Sequence, residues 1–172
     1  MTDEQAMYAV SQGDLDKAAI LYERYKKSLL NFFLYRQSDR ENARDLTQQV
    51  FLRMLRYRHT YREGASFKTW ILEIGRNVFF DYLKQNPTFS DLTAIPEVGE
   101  AYDETDEQYQ YLHHALAQLP DQYREVLVLS RFQNMSYEEI GQTLGLSVAN
   151  VKIRVFRAMQ KLRDSYFKVS SE

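Results

Sequence analysis

Residues 85–112 contain seven acidic side chains and not a single Lys or Arg. Two prolines and a glycine fall in the same stretch, and no helical repeat of apolar residues resumes before Leu112. A segment of low hydrophobicity and single-sign charge buries too little apolar surface to fold alone. The sequence therefore predicts two small helical domains, 1–86 and 112–172, joined by an acidic flexible linker over 87–111. A second interpretation stays open, in which the acidic segment mimics nucleic acid and shields basic surfaces.

The composition of the chain narrows the fold class to all-α. Its 172 residues, 44% of them apolar, suffice for packed cores, whereas six Gly and three Pro are too few for a sandwich or a barrel. The absence of Cys excludes disulfides, thiolate zinc sites and a Cys nucleophile. No apolar run approaches the roughly 18–20 residues that span a bilayer, and Met1–Val10 lacks the basic start and apolar run of a signal peptide. We therefore expect a cytoplasmic protein without membrane insertion.

Three helices are predicted in the first domain, because apolar residues recur there at the helical period. The first helix runs from an Asp14 N-cap to about Leu34, the second starts at Asp39, and the third is capped by Ser66. The predicted buried stripes are Ala43, Leu46, Val50, Met54 and Tyr57 on the second helix, and Phe67, Trp70, Ile71, Ile74, Val78 and Tyr82 on the third.

The outer faces of the second and third helices are the candidate binding surfaces of this domain. The second helix presents a polar face, for which partner docking and simple solvation are both open interpretations: Arg44, Asp45, Gln48, Gln49, Arg53 and Arg56. Around the third helix, aromatic residues from Tyr57 to Tyr82 are interleaved with Lys and Arg. Rings beside cations suit single-stranded nucleic acid, whose bases stack at about 1–3 kcal/mol each, although most of these rings are expected in the core.

A helix-turn-helix is predicted near the end of the second domain. Ser136 and Glu139 form a capping box at the start of a short helix. Gly145 then supplies a left-handed turn, and Ser147 caps a longer helix that runs from Val148 to about Tyr166. Two helices joined by a tight turn that contains Gly are typical of this DNA-binding motif.

The longer helix has one face suited to the DNA major groove. Its core side is predicted to hold Val151, Val155, Ala158 and Leu162. The opposite side combines two apolar residues with three basic ones: Ile153, Phe156, Lys152, Arg157 and Lys161. Cations bind phosphates and apolar atoms contact thymine methyl groups, so this pattern favours the reading of duplex DNA. A basic amphipathic helix that only packs against the core is the alternative.

Catalytic and metal-binding arrangements are not evident in the sequence. The only His residues are His59, His113 and His114, and the adjacent pair points about 100° apart on a helix, which makes a poor metal pair. No nucleophile and base accompany them. We therefore predict no enzymatic activity, no metal site and no cofactor.

Taken with the acidic linker, these motifs make the chain resemble a bacterial RNA polymerase sigma factor of the sigma-70 family, in its extracytoplasmic-function (ECF) group. The run DLTQQVFLRML over 45–55 resembles the helix by which the family docks on core RNA polymerase. The run FKTWILEIGRNVFFDYL over 67–83 is similar to the element that melts and reads the −10 promoter element. Residues 119–162 are similar to the region that reads the −35 element as duplex.

The resemblance implies a sigma factor that binds core RNA polymerase and directs promoter-specific transcription initiation. It assigns polymerase binding to Asp45, Gln48, Gln49 and Arg53. It assigns the −10 element to Arg76, Asn77, Phe80 and Lys84, and the −35 element to Lys152, Ile153, Phe156, Arg157 and Lys161. Besides core polymerase and promoter DNA, it implies an anti-sigma factor as a partner. The competing interpretation is a two-domain helix-turn-helix transcriptional regulator whose N-terminal domain senses a partner or a ligand.

Overall fold

The computed structural model describes residues 1–36, 39–86 and 107–170, and these ranges contain helices and no β-strand. The α-helices are α1 (Asp3–Ser11), α2 (Ala18–Tyr35), α3 (Arg40–Arg56), α4 (Phe67–Gln85), α5 (Glu107–Ala117), α6 (Asp121–Leu127), α7 (Tyr137–Leu144) and α8 (Val148–Ser170). Short 3-10 turns precede α2 and follow α3, and a π-helical segment, Val128–Phe132, continues α6. The predicted all-α fold is confirmed. Residues 87–106 of the predicted linker lie outside the described residues.

The chain divides into two compact units. Of the described residues, 1–31 and 41–86 form the first unit, and 32–36, 39–40 and 107–170 form the second. The last four residues of α2 therefore belong to the second unit, although the sequence placed them in the first domain. Helix α5 begins at Glu107, within the last residues of the predicted linker.

The first unit begins with a helix, α1, that was not predicted from the sequence. Thr2 caps α1 and forms a capping box with Gln5, which is the local signal for this helix. The carboxylate of Asp3 accepts hydrogen bonds from the Arg24 guanidinium at 2.8 Å and from the Tyr25 hydroxyl at 2.6 Å. Burial, followed by the bond to Asp3, raises the pKa of Tyr25 well above its ordinary value.

An aromatic cluster forms the centre of the first unit around Phe67, the first residue of α4. The Phe67 side chain is fully buried, and its ring centre lies 5.0 Å from that of Tyr25 and 6.2 Å from that of Trp70. Tyr61 completes the cluster, 5.3 Å from Trp70, and its hydroxyl donates to the carbonyl of Ala65. Burial and the nearby acidic groups of α1 raise the pKa of Tyr61 to about 12.

Most predicted core residues of the first unit are buried, with corrections at one helix cap and on both stripes. Asp14 precedes a 3-10 turn rather than α2 itself, and its side chain makes no capping hydrogen bond. Tyr57 is exposed, because α3 ends one residue before it and the helical stripe does not reach it. Trp70, Ile74 and Tyr82 are half-buried, because the buried face of α4 is rotated toward Leu72, Gly75 and Phe79. The Ser66 cap of α4 is confirmed, since its side chain accepts from the Thr69 backbone N–H.

The second unit is built from α5, α6, α7 and α8, and Arg124 of α6 holds the end of α5. Its guanidinium donates to the backbone carbonyls of Leu116 at 3.0 Å and Leu119 at 2.9 Å. Helix ends leave such carbonyls without helical partners, so this contact satisfies them. Burial of the guanidinium lowers the pKa of Arg124.

Buried polar and aromatic contacts explain why residues 32–36 belong to the second unit. The Tyr35 ring stacks on His113 at 4.8 Å and on Phe132 at 4.1 Å between centroids. Arg36, 1% exposed, lies 3.5 Å from the Asp121 carboxylate and 3.6 Å from that of Glu125. A buried guanidinium requires such anionic partners. Burial also lowers the pKa of His113 to about 4, so its imidazole is neutral at physiological pH.

Candidate functional site

The helix-turn-helix of the second unit forms as the sequence predicts, because each turn residue has the conformation that its type favours. The Ser136 hydroxyl accepts from the Glu139 N–H, and the Glu139 carboxylate accepts from the Ser136 N–H, both at 3.1 Å. Gly145 ends α7 with φ 71°, in the left-handed region. The Ser147 hydroxyl accepts from the Asn150 N–H at 3.1 Å and caps α8. The predicted capping box and turn are confirmed.

Gly141 allows the turn to approach α7 closely. A Cβ on Gly141 would lie 2.5 Å from the carbonyl oxygen of Leu146, which is shorter than a normal contact. The Leu146 N–H donates to the Gly141 carbonyl at 2.9 Å. A residue without a side chain is therefore needed at the point where the turn crosses α7.

The outer face of α8 carries the five residues that were assigned to the −35 element. Of the predicted core side, Val151, Val155 and Ala158 are buried and Leu162 is half-buried. All five assigned residues are exposed: Lys152, Ile153, Phe156, Arg157 and Lys161. Phe156 is 64% exposed and Ile153 is 48% exposed. Two large apolar side chains in water among three cations gain nothing from solvation, so this face is suited to a binding partner.

A groove of about 180 Å³ extends this face toward the start of α6. Residues of α6, of the turn and of α8 line it: Gln122, Tyr123, Leu146, Asn150, Ile153, Arg154 and Arg157. The Lys161 ammonium lies 5.6 Å from the centre of the Tyr123 ring. Gln122 and Tyr123 were not among the predicted site residues, because only tertiary packing brings α6 beside α8. Pro120, at the N-cap position of α6, is the local signal that places them in its first turn.

The outer face of α4 brings together the residues that were assigned to the −10 element. Asn77 and Lys84 are exposed, and Arg76 and Phe80 are half-buried. The Arg76 guanidinium carbon lies 4.6 Å from the centre of the Phe80 ring, a cation–π contact between residues four apart on the helix. The arrangement combines an amide, a ring and two cations on one side of α4. These groups are suited to contact unstacked bases and the phosphates between them.

The outer face of α3 presents Asp45, Gln48 and Gln49 to solvent. Arg53, assigned to the same surface, is half-buried and donates to the Asp81 carboxylate of α4 at 2.8 Å. Leu52, which was not among the predicted site residues, is 58% exposed on this polar face. An apolar residue at a polar register position was the signal that would have identified it.

Two further properties bear on what these surfaces do. In the part of the chain that the structure describes, no group of three or more His, Cys, Asp or Glu is placed to hold a metal ion. Within the same part, no helix has both the length and the hydropathy that a bilayer crossing requires.

The sequence matches two family models in the order of the two units. The model described as Sigma-70 region 2 matches residues 21–87, and the model described as Sigma-70, region 4 matches residues 109–162. The first match includes the outer faces of α3 and α4, and the second includes the helix-turn-helix.

Individual proteins resemble the chain over most of its length. The ECF RNA polymerase sigma factor SigM of Bacillus subtilis is 31% identical over 152 residues, which cover 85% of this chain and 93% of SigM. The ECF RNA polymerase sigma factor SigE of Mycolicibacterium smegmatis is 30% identical over 186 residues, which cover 99% of this chain and 72% of SigE. Among solved structures, CnrH in complex with the cytosolic domain of CnrY has a TM-score of 0.74 at 22% identity, with 94% of this chain and 95% of that chain covered. That last likeness shows a shared fold.

Proposed function

The chain belongs to the sigma-70 family, in its ECF group, and from this membership we propose which of its surfaces perform the work of a sigma factor. It binds core RNA polymerase and directs transcription initiation at specific promoters. The N-terminal domain, 1–86, docks on polymerase through α3 and reads and melts the −10 element through α4. The C-terminal domain, 112–172, reads the −35 element through α8. The catalysis is that of the polymerase, and the place of action is the cytoplasm.

The outer face of α8 is the single observation that carries this proposal. Ile153 and Phe156 lie exposed among cations on the second helix of a helix-turn-helix, the helix that enters the major groove in this motif. Lys and Arg supply salt-dependent affinity for phosphates, while apolar atoms contact thymine methyl groups. The face therefore supports both affinity and base preference at the −35 duplex.

The outer face of α4 supports a role with separated strands. Opening a duplex costs a few kcal/mol of unstacking, which stacking on rings and polar contacts to the freed bases offset. Phe80 supplies a ring, Asn77 an amide that both donates and accepts, and Lys84 a charge for the backbone. We assign these residues, with Arg76, to the −10 element.

Net charge favours binding to promoters in the company of polymerase. The chain carries a formal charge of −2 at pH 7, which gives no general attraction for free DNA. The basic residues lie together on one face of α8, so they attract the duplex once docking on polymerase places that face beside it. A stand-alone helix-turn-helix regulator does not account for the match of residues 21–87 to Sigma-70 region 2.

An anti-sigma factor is the regulatory partner that we propose. Two proteins with this fold were solved in complexes. The sigma factor RpoE was solved with the anti-sigma factor NepR from Bartonella quintana and has a TM-score of 0.73 at 22% identity to this chain. CnrH was solved with the cytosolic domain of CnrY. The exposed polymerase-docking and DNA-reading faces are the surfaces that such a partner would have to cover.

The docking role is tested by the double substitution Asp45→Ala and Gln48→Ala. Both side chains are exposed, so their loss leaves the fold intact and removes polar contacts to the partner. We expect weaker binding to bacterial core RNA polymerase in a competition assay against the wild-type chain, with an unchanged thermal unfolding curve. Wild-type affinity of the double variant would contradict the assignment of α3.

The division of promoter reading is tested with Arg157→Ala and Asn77→Ala on paired and premelted templates. We expect Arg157 to contact a base edge, so its loss costs about 1–3 kcal/mol and relaxes base preference at one upstream position. Loss of Asn77 impairs opening alone, so a template premelted over the −10 element restores transcription by Asn77→Ala and not by Arg157→Ala. Arg163→Ala removes an equal charge from an exposed position of α8 outside the assigned set and serves as the control. Rescue of Arg157→Ala but not of Asn77→Ala by premelting would contradict the proposed division.

A further inference from the structure

Leu52 lies at the centre of the polar outer face of α3. With about 100° between successive residues, Asp45, Gln48, Gln49 and Arg56 all project within about 60° of the Leu52 direction. Each of these four polar neighbours lies within two turns of Leu52 along the helix axis. The buried residues Ala43, Leu46, Val50 and Met54 occupy the opposite side of the same helix. The half-buried Leu55 also projects about 60° from Leu52. Leu52 is therefore directed away from the core of its unit, and most of its neighbours on the outer face are polar.

This position separates Leu52 from the scattered apolar residues that any protein surface contains. Leu52, with the half-buried Leu55 beside it, is the apolar centre of a largely polar ring. A protein–protein interface has the same arrangement, with a dry apolar centre and a polar rim. The ring includes Asp45, Gln48 and Gln49, which we have already assigned to polymerase docking. Leu52 is thus continuous with the proposed interface.

An exposed aromatic residue of α2 packs against the side of α3. Tyr22 is 44% exposed, and its ring packs edge-on against Phe51, the residue before Leu52, with centroids 4.9 Å apart. The Lys26 ammonium lies 5.6 Å from the centre of the same ring. The surface on both helices belongs to the first unit. Tyr22 and Lys26 therefore border the Phe51 side of α3, and Leu52 remains the apolar centre of its outer face.

We propose that Leu52 is the apolar anchor of the docking surface and that core RNA polymerase is its occupant. This inference rests on the proposed function of α3 and identifies the chemistry of the site: an apolar pocket on polymerase receives the Leu52 side chain, and polar groups around that pocket pair with Asp45, Gln48 and Gln49. The polar rim fixes the orientation of the complex, and the burial of Leu52 supplies a large share of its affinity.

The test compares Leu52→Ala, Leu52→Met and Leu15→Ala in binding to bacterial core RNA polymerase. Removal of an apolar side chain that becomes buried on binding weakens the complex by about tenfold or more. Met keeps the apolar volume, so Leu52→Met stays within about threefold of the wild type. Leu15 is also an exposed leucine of the first unit, 48% exposed but outside the α3 face, so Leu15→Ala binds as the wild type does. Thermal unfolding followed by the fluorescence of Trp70 is unchanged in all three variants.

Each other outcome contradicts the inference in a distinguishable way. If Leu52→Ala binds as the wild type does while the Asp45 and Gln48 double variant binds weakly, Leu52 is not the anchor and the proposed docking role of α3 stands. If all of these variants bind normally, both the anchor and the docking role are wrong. An equal loss in Leu52→Ala and Leu15→Ala, or a lowered unfolding temperature for Leu52→Ala, assigns Leu52 to general stability rather than to docking.

Discussion

Phe67→Ala is expected to lower the free energy of unfolding of the first unit by about 3–5 kcal/mol, the range for Phe to Ala at a fully buried site. The side chain of Phe67 is fully buried between Tyr25, Tyr61 and Trp70, so its loss leaves a cavity that rings on three elements would have to fill. A loss of this size removes a large part of the stability of a small folded unit. For a unit of this length, the unfolding midpoint falls by more than about 10 °C.

Fluorescence isolates this effect, because Trp70 is the only Trp of the chain and lies in the first unit. The Trp70 transition of Phe67→Ala should move to lower temperature, while the second unit keeps its helical signal in far-UV circular dichroism. Trp70→Ala, followed by circular dichroism, serves as the comparison. Since Trp70 is half-buried, we expect a smaller loss there than at Phe67. A larger loss at Trp70 would show that the indole, and not Phe67, is the centre of the cluster.

The sequence was most predictive where the structure depends on neighbours along the chain. The helix-turn-helix follows from residues within a few positions of one another, since Ser136 bonds Glu139, Gly145 adopts a left-handed φ and Ser147 bonds Asn150. Such local preferences operate whatever the rest of the chain does. The exposure of the α8 face follows in turn from the helical period once the start of α8 is fixed.

Helix α1 could not be predicted with the same ease, because contacts far along the chain place it. Five of its nine residues are apolar, but they run consecutively from Ala6 to Val10 without a helical repeat, and a helix this short is marginal without packing. Asp3 bonds Arg24 and Tyr25, and the Glu4 carboxylate accepts from the Phe67 N–H at 3.3 Å, sixty-three residues away. The spacing of apolar residues within α1 contains no information about these long-range hydrogen-bond partners.

The buried Arg36 illustrates the same limit for the core of the second unit. An Arg is ordinarily read as a surface residue, yet its guanidinium is buried beside the carboxylates of Asp121 and Glu125, which are about ninety residues later in the chain. The pairing that makes its burial possible is a tertiary property. For the same reason, the sequence assigned the end of α2 to the first domain.

Leu52 shows how a periodic pattern can hide a candidate binding residue. The stripe that defines α3 contains Leu46, Val50 and Met54, and those residues are buried as predicted. An apolar residue on the other side does not disturb that stripe, so an analysis of the core passes over it. Its significance appears only when its exposure and its polar neighbours are considered together.

Gly141→Ala is expected to destabilise the second unit by about 1–3 kcal/mol, the usual range for overpacking. The added Cβ would lie 2.5 Å from the carbonyl oxygen of Leu146, and this neighbour is backbone that cannot rotate away. Relief requires a shift of the turn, which strains the hydrogen bond from the Leu146 N–H to the Gly141 carbonyl. Because the turn sets the angle between α7 and α8, transcription that depends on the −35 element should fall by more than about tenfold.

Gly145→Ala provides the matched control, since it adds the same methyl group to the same motif for a different physical reason. No atom lies within 4 Å of a Cβ at Gly145, and the cost there arises from its φ of +71°, at about 1 kcal/mol for a residue other than Gly. The melting temperature, followed by circular dichroism, should therefore be lowest for Gly141→Ala, intermediate for Gly145→Ala and highest for the wild type. The Trp70 transition and the binding to core polymerase should be unchanged in both variants. If Gly141→Ala melts as the wild type does, or if Gly145→Ala is the less stable of the two, the close crossing of the turn over α7 does not determine the geometry of the DNA-reading helix.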